Sequence, residues 1–362
     1  MKPVFLLSLS SCLLSLLLPQ TGWTQLSSQS FSFRFEGKTL RGVIESPAEQ
    51  APQAMVLLIP GYGQTNFVEG KWYYELRSQL VGMGLSVVCW DKMGCGQSEG
   101  EFNIQQPVAN SAEEALTAIS ELQRLKIPGS ETLGLWGISR AGWICPLIYE
   151  QFPIAFWISV SGTDHKENFG YLVQSNLRIQ GKEEAEVERL YQAWMEGHRL
   201  YCAGASYDRF VAAIRPLQED SLSRELFGYS EPMPITEADR LVFAAEKQSY
   251  LQGGHFDSES GLWVYIEGFD QLLSKVDCPV LALFGAEDSQ VDWHKTKQLY
   301  ESTIAENPAA DLTVKVFEQC NHSLQKCESC GFQEDLSHLR WTSCEGYYEA
   351  MRSWLKAAEV VD

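Results

Sequence analysis

A chain of 362 residues, 45% hydrophobic, 12% aromatic and 21% charged, can bury one large core with an insertion, and its composition excludes a disordered or fibrous protein. Its 28 Lys and Arg stand against 47 Asp and Glu, a formal net charge of −19. That balance argues against nucleic acid as a partner, because phosphate binding needs clustered cations.

The chain opens on Lys2, an apolar run from Val4 to Leu18, then Pro19 to Thr24 with small residues among them. This is the order of a secretory signal peptide over residues 1–24, and it predicts a secreted or periplasmic protein. Leu9, Ser10, Ser11 and Cys12 also resemble a lipobox, which would leave a lipid anchor on Cys12. No second apolar run approaches the roughly 18 residues that cross a bilayer, so no stable membrane span is expected.

Phe31, Phe33 and Phe35 alternate with polar residues, and Leu40 to Glu45 follows a Gly-Lys turn; the two segments read as an antiparallel pair. Met55 to Ile59, Ser86 to Trp90 and Thr132 to Trp136 are continuous apolar runs, the pattern of strands covered on both faces. Between them, Tyr73 to Met83 and Ser111 to Leu125 carry helical spacing. Phe156 to Val160, Val280 to Phe284 and Leu312 to Phe317 continue the strands, and Glu345 to Ala358 closes the chain as a helix. Alternating strand and helix predicts a mostly parallel central sheet flanked by helices, an α/β class. From Asp164 to about Gly261 the alternation breaks. There Val187, Leu190, Tyr191, Trp194, Met195, His198, Tyr201 and Cys202 trace one helical face, and Phe210, Val211, Ile214 and Leu217 another. Residues 164–261 are therefore expected to form a helical cap inserted into a core of 25–163 and 262–362.

Three loops carry chemistry. Gly137-Ile138-Ser139-Arg140-Ala141 follows a core strand, and small residues two positions either side of a serine permit a sharp strand-to-helix turn that projects its hydroxyl. Asp288 follows a later strand, and His322 follows the next. A serine hydroxyl needs a base to take its proton, and the imidazole needs a carboxylate to fix its tautomer. Ser139, Asp288 and His322 supply those roles in that chain order.

On these residues the mature chain resembles the α/β-hydrolase superfamily along nearly its whole length. The resemblance implies an α/β-hydrolase fold with a helical cap, and Ser139, Asp288 and His322 as the catalytic triad. It likens Pro60-Gly61-Tyr62-Gly63 to the oxyanion-hole motif, with Pro60 where histidine is usual, so that the backbone N–H groups of Tyr62 and Arg140 would form the oxyanion hole. It likens Asp91 to Gly100 to a structural Asp-x-x-Gly-x-Gly-x-Ser turn without catalytic role. It also favours Asp288 over Glu287 and Asp292 as the acid.

His165, His198, His255, His294 and His338 read as structural or surface histidines. Arg140 would meet either a substrate carboxylate or a surface ion-pair partner. Trp194 and Tyr191 read as packing, with an influence on substrate preference if the cap covers Ser139. Of ten cysteines, nine lie beyond Cys12, and Cys320, Cys327, Cys330 and Cys344 cluster beside His322. Export favours disulfides, in any of three pairings, and leaves at least one unpaired cysteine, such as a buried Cys145. A structural zinc site built from Cys320, Cys327, Cys330 and Cys344, or with His338 in place of Cys320, is the rival.

The functional reading is a secreted serine esterase that hydrolyses a small-molecule or peptide substrate through an acyl-enzyme, with no cofactor. A serine peptidase of aminopeptidase or acyl-peptide hydrolase type uses the same parts, and a non-catalytic binding protein of this fold is the reading from another class.

Overall fold

The computed structural model describes residues 26–362 other than 71, 105, 166–168, 228, 253–263, 333 and 335–341. The signal segment, Cys12, His255, His338 and the expected end of the cap near Gly261 lie outside the described residues.

Eight strands form one sheet: β1 (Leu26–Phe35), β2 (Lys38–Pro47), β3 (Ala54–Ile59), β4 (Leu85–Trp90), β5 (Leu133–Ile138), β6 (Trp157–Val160), β7 (Pro279–Gly285) and β8 (Asp311–Phe317). Their order is β1-β2-β4-β3-β5-β6-β7-β8. β1 and β2 pair antiparallel, with Phe33 opposite Leu40, and β2 pairs antiparallel with β4; all later pairs are parallel.

The continuous apolar runs have the expected cause. In β3, Met55, Leu57 and Ile59 face one core and Ala54, Val56 and Leu58 the other, and all six are buried. The first core is closed by α2 (Val108–Arg124), α3 (Ala141–Gln151), α9 (Phe269–Ser274) and α10 (Trp293–Glu301), the second by α1 (Tyr74–Gly82) and α11 (Tyr347–Ala357). α2 presents Ala112, Ala115, Ile119 and Leu122, one side of a 3.6-residue period, while its opposite side stays in water.

Several boundaries move. β1 and β2 extend beyond the phenylalanines and Leu40 to Glu45, because their ladder continues through half-exposed residues that hydrophobic alternation does not mark. β5 runs to Ile138 rather than stopping at Trp136, so Ser139 follows the strand directly.

Between β6 and β7 the chain leaves the sheet. α4 (Gly170–Ile179), α5 (Glu184–Cys202), α6 (Tyr207–Glu219), α7 (Ser221–Phe227) and α8 (Glu237–Gln252) follow one another without a strand. Val173, Leu177, Val187, Leu190, Ile214 and Leu217 give this insertion its own buried cluster. Full burial of such aliphatic side chains stabilises by about 1.5–3 kcal/mol each. The stripe read along α5 needs one correction: Met195 is 37% exposed, and Ala193 and Gly197 occupy the buried face instead.

Candidate functional site

The parallel strands direct their carboxyl ends to one edge of the sheet, where an open α/β sheet binds ligands. Ser139 sits there between β5 and α3 with φ 58°, a left-handed backbone that serine adopts only under constraint. The constraint is visible. Its N–H donates to the Val160 carbonyl at 2.9 Å, and its carbonyl accepts from Gly142 N–H at 2.7 Å. The turn is tight enough that a Cβ on Gly137 would lie 2.7 Å from the Ala141 Cβ and 2.8 Å from Cys145 Sγ. Glycine and alanine in the motif are thus steric requirements.

The histidine arrives by a second close approach. A Cβ on Gly285, at the end of β7, would lie 2.3 Å from the Cys320 carbonyl oxygen, so only glycine lets the loop after β8 cross here. That loop is fastened by the Cys320–Cys344 disulfide, by Glu287 N–H donating to Cys320 O at 3.0 Å, and by Asn321, whose Oδ1 accepts the N–H groups of Ser323 and Gln325. His322 Nδ1 then lies 2.8 Å from Asp288 Oδ2, with both side chains buried. Asp288 Oδ1 accepts from the N–H groups of Gln290 at 2.8 Å and Val291 at 3.0 Å. A carboxylate only accepts, so this contact suits a donor at Nδ1 and leaves Nε2 as the other ring nitrogen of His322.

The three carboxylates differ in their contacts. Asp292 caps α10 by accepting from His294 N–H, and it is Asp288 that meets the imidazole. Of the other histidines, His165 lies 3.2 Å from Asp270, His198 stacks on Trp194, and His294 stacks on Trp293.

Ser139 and His322 line one cavity of about 620 Å³. Its wall is aromatic, from Tyr62, Trp72, Tyr73, Trp143, Phe169, Tyr171 and Phe332, and its charged lining residues are Asp164 and Asp292. No Lys or Arg lines it among the described residues. Phe169, Tyr171 and Leu172, which line this cavity together with Ser139, come from the start of the insertion.

Tyr191 and Trp194 do not reach this cavity. They stack on each other, and Trp194 also on His198, against the insertion's own cluster, because the buried face of α5 turns toward α4 and α6. Arg140 also differs from both expectations. Its guanidinium is buried, donates to Gln106 O and, at 3.0 Å, to Ser111 Oγ, and lies 5.2 Å from the centre of the Tyr62 ring. It braces the loop beside the serine rather than facing solvent or substrate.

The zinc arrangement is overturned. Cys320 bonds Cys344 and Cys327 bonds Cys330, so the four sulfurs serve two separate disulfides. Glu334, the other potential ligand near Cys327 and Cys330, accepts the N–H groups of Glu328, Ser329 and Cys330. Cys145 is free and buried as expected, with Cys89, Cys95, Cys202 and Cys278. Burial pushes the thiols of Cys89, Cys202 and Cys278 up to about 12 and that of Cys145 higher still, which leaves them without thiolate character.

The Asp91 turn is held by its own hydrogen bonds. Asp91 Oδ1 accepts from Phe67 N–H, its Oδ2 from Gln97 N–H, and Ser98 Oγ donates to its carbonyl. Lys92, in the same turn, was not singled out by the sequence. Its Nζ donates to Gly61 O at 2.6 Å and Gly63 O at 2.9 Å, the carbonyls on either side of Tyr62. Its position just past the end of β4, at the same sheet edge as Ser139, was the available signal.

Comparison with known proteins gives concordant results. The family described as X-Pro dipeptidyl-peptidase (S15 family) matches residues 36–323. An acyltransferase of Aspergillus calidoustus is 23% identical over 145 residues, 37% of this chain, and the chain spans less than half of that relative, 46% of its length. A Pyrococcus furiosus esterase superposes with a TM-score of 0.52 at 14% identity, covering 92% of this chain and 91% of the esterase. A proline iminopeptidase of Mycobacterium smegmatis gives 0.51 at 16% identity, covering 92% and 99%. At such identities these structures share the fold.

Proposed function

The chain belongs to the S15 peptidase family, serine hydrolases of the α/β-hydrolase fold, and within it we propose that Ser139, His322 and Asp288 form the catalytic triad of an enzyme cleaving carboxylic esters with a bulky apolar group. The observation that carries the reading is the buried Asp288–His322 bond at 2.8 Å, with His322 lining the same cavity as a serine held in left-handed backbone.

In this mechanism Ser139 Oγ attacks the carbonyl while His322 Nε2 takes its proton. The oxyanion is met by the N–H groups of Tyr62 and Arg140, the latter at the start of α3, where unpaired N–H groups and the helix dipole favour negative charge. Each such donor is worth about 3 kcal/mol in the transition state. The leaving group departs with the proton held by His322, and water, deprotonated by the same imidazole, releases the acid and restores Ser139. The aromatic wall suits an apolar acyl or alkoxy group, and Asp164 and Asp292 oppose an anionic one.

Amide cleavage is the second reading. It is favoured by the same two carboxylates, which suit a substrate ammonium near the scissile bond. The Cys320–Cys344 and Cys327–Cys330 disulfides fit an oxidising compartment and support export by the signal segment. No helix among the described residues is long and apolar enough to cross a membrane.

A fluorophosphonate should label the protein at Ser139, and p-nitrophenyl esters of graded chain length should be turned over faster than aminoacyl p-nitroanilides. A protein that neither labels nor hydrolyses either series is not a serine hydrolase working through Ser139. Faster turnover of the anilides would move the assignment to a peptidase.

A further inference from the structure

We propose that Lys92 is a positioning residue of the oxyanion hole: its ammonium clamps the carbonyls of Gly61 and Gly63, and so fixes the peptide that aims the Tyr62 N–H at the reacting carbonyl. The inference rests on the triad reading above and concerns a residue outside the triad.

The geometry is local and specific. Gly61 sits close to Ser139, since a Cβ on it would lie 3.2 Å from the Ser139 Cβ and 3.8 Å from its Oγ, so a shift in this loop changes the space in which the oxyanion forms. In Pro60-Gly61-Tyr62-Gly63 the two glycines bring no side chain to hold the loop, and among the described residues none of 61–63 donates its N–H to another backbone carbonyl. Lys92 supplies the missing hold from behind. Its backbone is pinned by Thr65 Oγ1, which accepts the Lys92 N–H at 2.8 Å, and its Nζ reaches Gly61 O at 2.6 Å and Gly63 O at 2.9 Å. Of these two charge-assisted bonds, the one to Gly61 O fixes the peptide that carries the Tyr62 N–H, and the one to Gly63 O fixes the peptide after Gly63. Arg140, beneath the Tyr62 ring, braces the same residue through its side chain. The two cations also place positive charge behind the point where negative charge develops, an arrangement already in position when the reaction begins.

Electrostatics adds a handle for testing. Burial pushes the Lys92 ammonium down to about 8, and the charge of Arg140 presses the same way; Glu114 of α2 and Cys95 in the Asp91 turn oppose the shift. Lys92 is therefore charged at neutral pH and loses its proton in mildly alkaline solution, where the amine holds two carbonyls less firmly. An arginine in its place stays charged throughout.

The test compares wild type, Lys92→Met and Lys92→Arg in the full mature chain on one p-nitrophenyl ester, with a trifluoromethyl ketone as the mimic of the tetrahedral adduct. Lys92→Met is expected to lower kcat by about 10- to 100-fold, somewhat below the loss of an oxyanion donor itself, with KM within about two-fold. Its Ki for the ketone should rise in the same proportion, because both report the oxyanion. Lys92→Arg should recover most of the rate and lose the decline in kcat that wild type shows above pH about 8. Unchanged kcat in Lys92→Met, or a lower kcat with an unchanged Ki, overturns the proposal. If Lys92→Met does not fold, the pH profiles decide: an alkaline limb identical in wild type and Lys92→Arg overturns it. Failure of wild type to label with fluorophosphonate would instead sink the triad reading, so the two failures are told apart.

Discussion

The sheet edge and the insertion above it are held in different ways. At the sheet edge each functional group is fixed by short backbone bonds: Ser139 to Val160, Asp288 to Gln290 and Val291, and the histidine loop to Glu287. The insertion has its own apolar cluster and reaches the core chiefly through α4. Tyr171 Oη donates to Asp288 O at 3.1 Å, Ser175 Oγ and Asn176 Nδ2 donate to Ser289 O, and Asn176 Oδ1 accepts from Phe332 N–H at 2.7 Å. The insertion is thus tied to the acid's loop and to the strap after His322. The insertion and the loops that carry Asp288 and Phe332 consequently share one set of hydrogen bonds, while the Ser139 turn is held by Val160 of the sheet and, through Arg140, by Gln106 and Ser111.

The largest effect should come from the sheet edge. Ser139→Ala is expected to remove about 10⁴- to 10⁶-fold of the hydrolytic rate, with unchanged thermal unfolding, since the serine hydroxyl faces the cavity and adds little to the core. Asp288→Asn should cost about 10⁴-fold by leaving His322 in the wrong tautomer. Steady-state kinetics beside circular dichroism melts checks both, and near-normal turnover in either variant breaks the assignment of the machinery to this edge.

Next comes the strap. The Cys320–Cys344 disulfide closes a segment 24 residues long and both sulfurs are buried, so replacing the pair by serine should cost about 3 kcal/mol of stability and lower activity through the loop that carries His322. The Cys327–Cys330 disulfide spans only three positions and should matter far less for global unfolding. Urea unfolding of the two double variants measures the difference; equal losses would mean that the strap behaves as one unit with the cap.

These two regions were also legible to different degrees. The core strands could be read because burial on both faces demands continuous apolar runs, and Ser139, Asp288 and His322 stood out because each follows such a run. Met195 was misplaced because hydrophobicity alone does not distinguish the small buried residues Ala193 and Gly197 from gaps in a stripe. Tyr191 and Trp194 were seen to lie on one face, but which neighbour that face meets depends on the packing of α4 and α6, which no local pattern encodes. Lys92 carried no signal by type, and Arg140 left open a substrate carboxylate or a surface ion pair. Only the folded arrangement of carbonyls around them reveals buried cations with work to do.

A third experiment acts on the tie itself. Asn176 is buried, and its amide holds Ser289 O and Phe332 N–H at once. Asn176→Ala leaves the Phe332 N–H without its partner and is expected to cost about 1–3 kcal/mol. Because Phe332 lines the cavity and Ser289 adjoins Asp288, KM should rise more than the stability loss alone accounts for. An unchanged KM at a temperature well below unfolding would show that cap and acid loop are independent.

The smallest effect separates two kinds of aromatic residue in the insertion. Phe169 faces the cavity, 5.7 Å from the Tyr62 ring, whereas Trp194 packs between Tyr191 and His198 away from it. Phe169→Ala removes apolar surface from the substrate's side and should change the ratio of kcat/KM between long and short p-nitrophenyl esters by about 10-fold, the lower end of what a hydrophobic pocket contact provides. Trp194→Ala removes packing from the insertion's own core, so it should lower the stability of the insertion while leaving that ratio within about two-fold. The comparison is made on the ratio because a general loss of folded protein cancels in it. A larger change in the ratio from Trp194→Ala than from Phe169→Ala would mean that α5, and not the start of α4, sets the shape of the pocket.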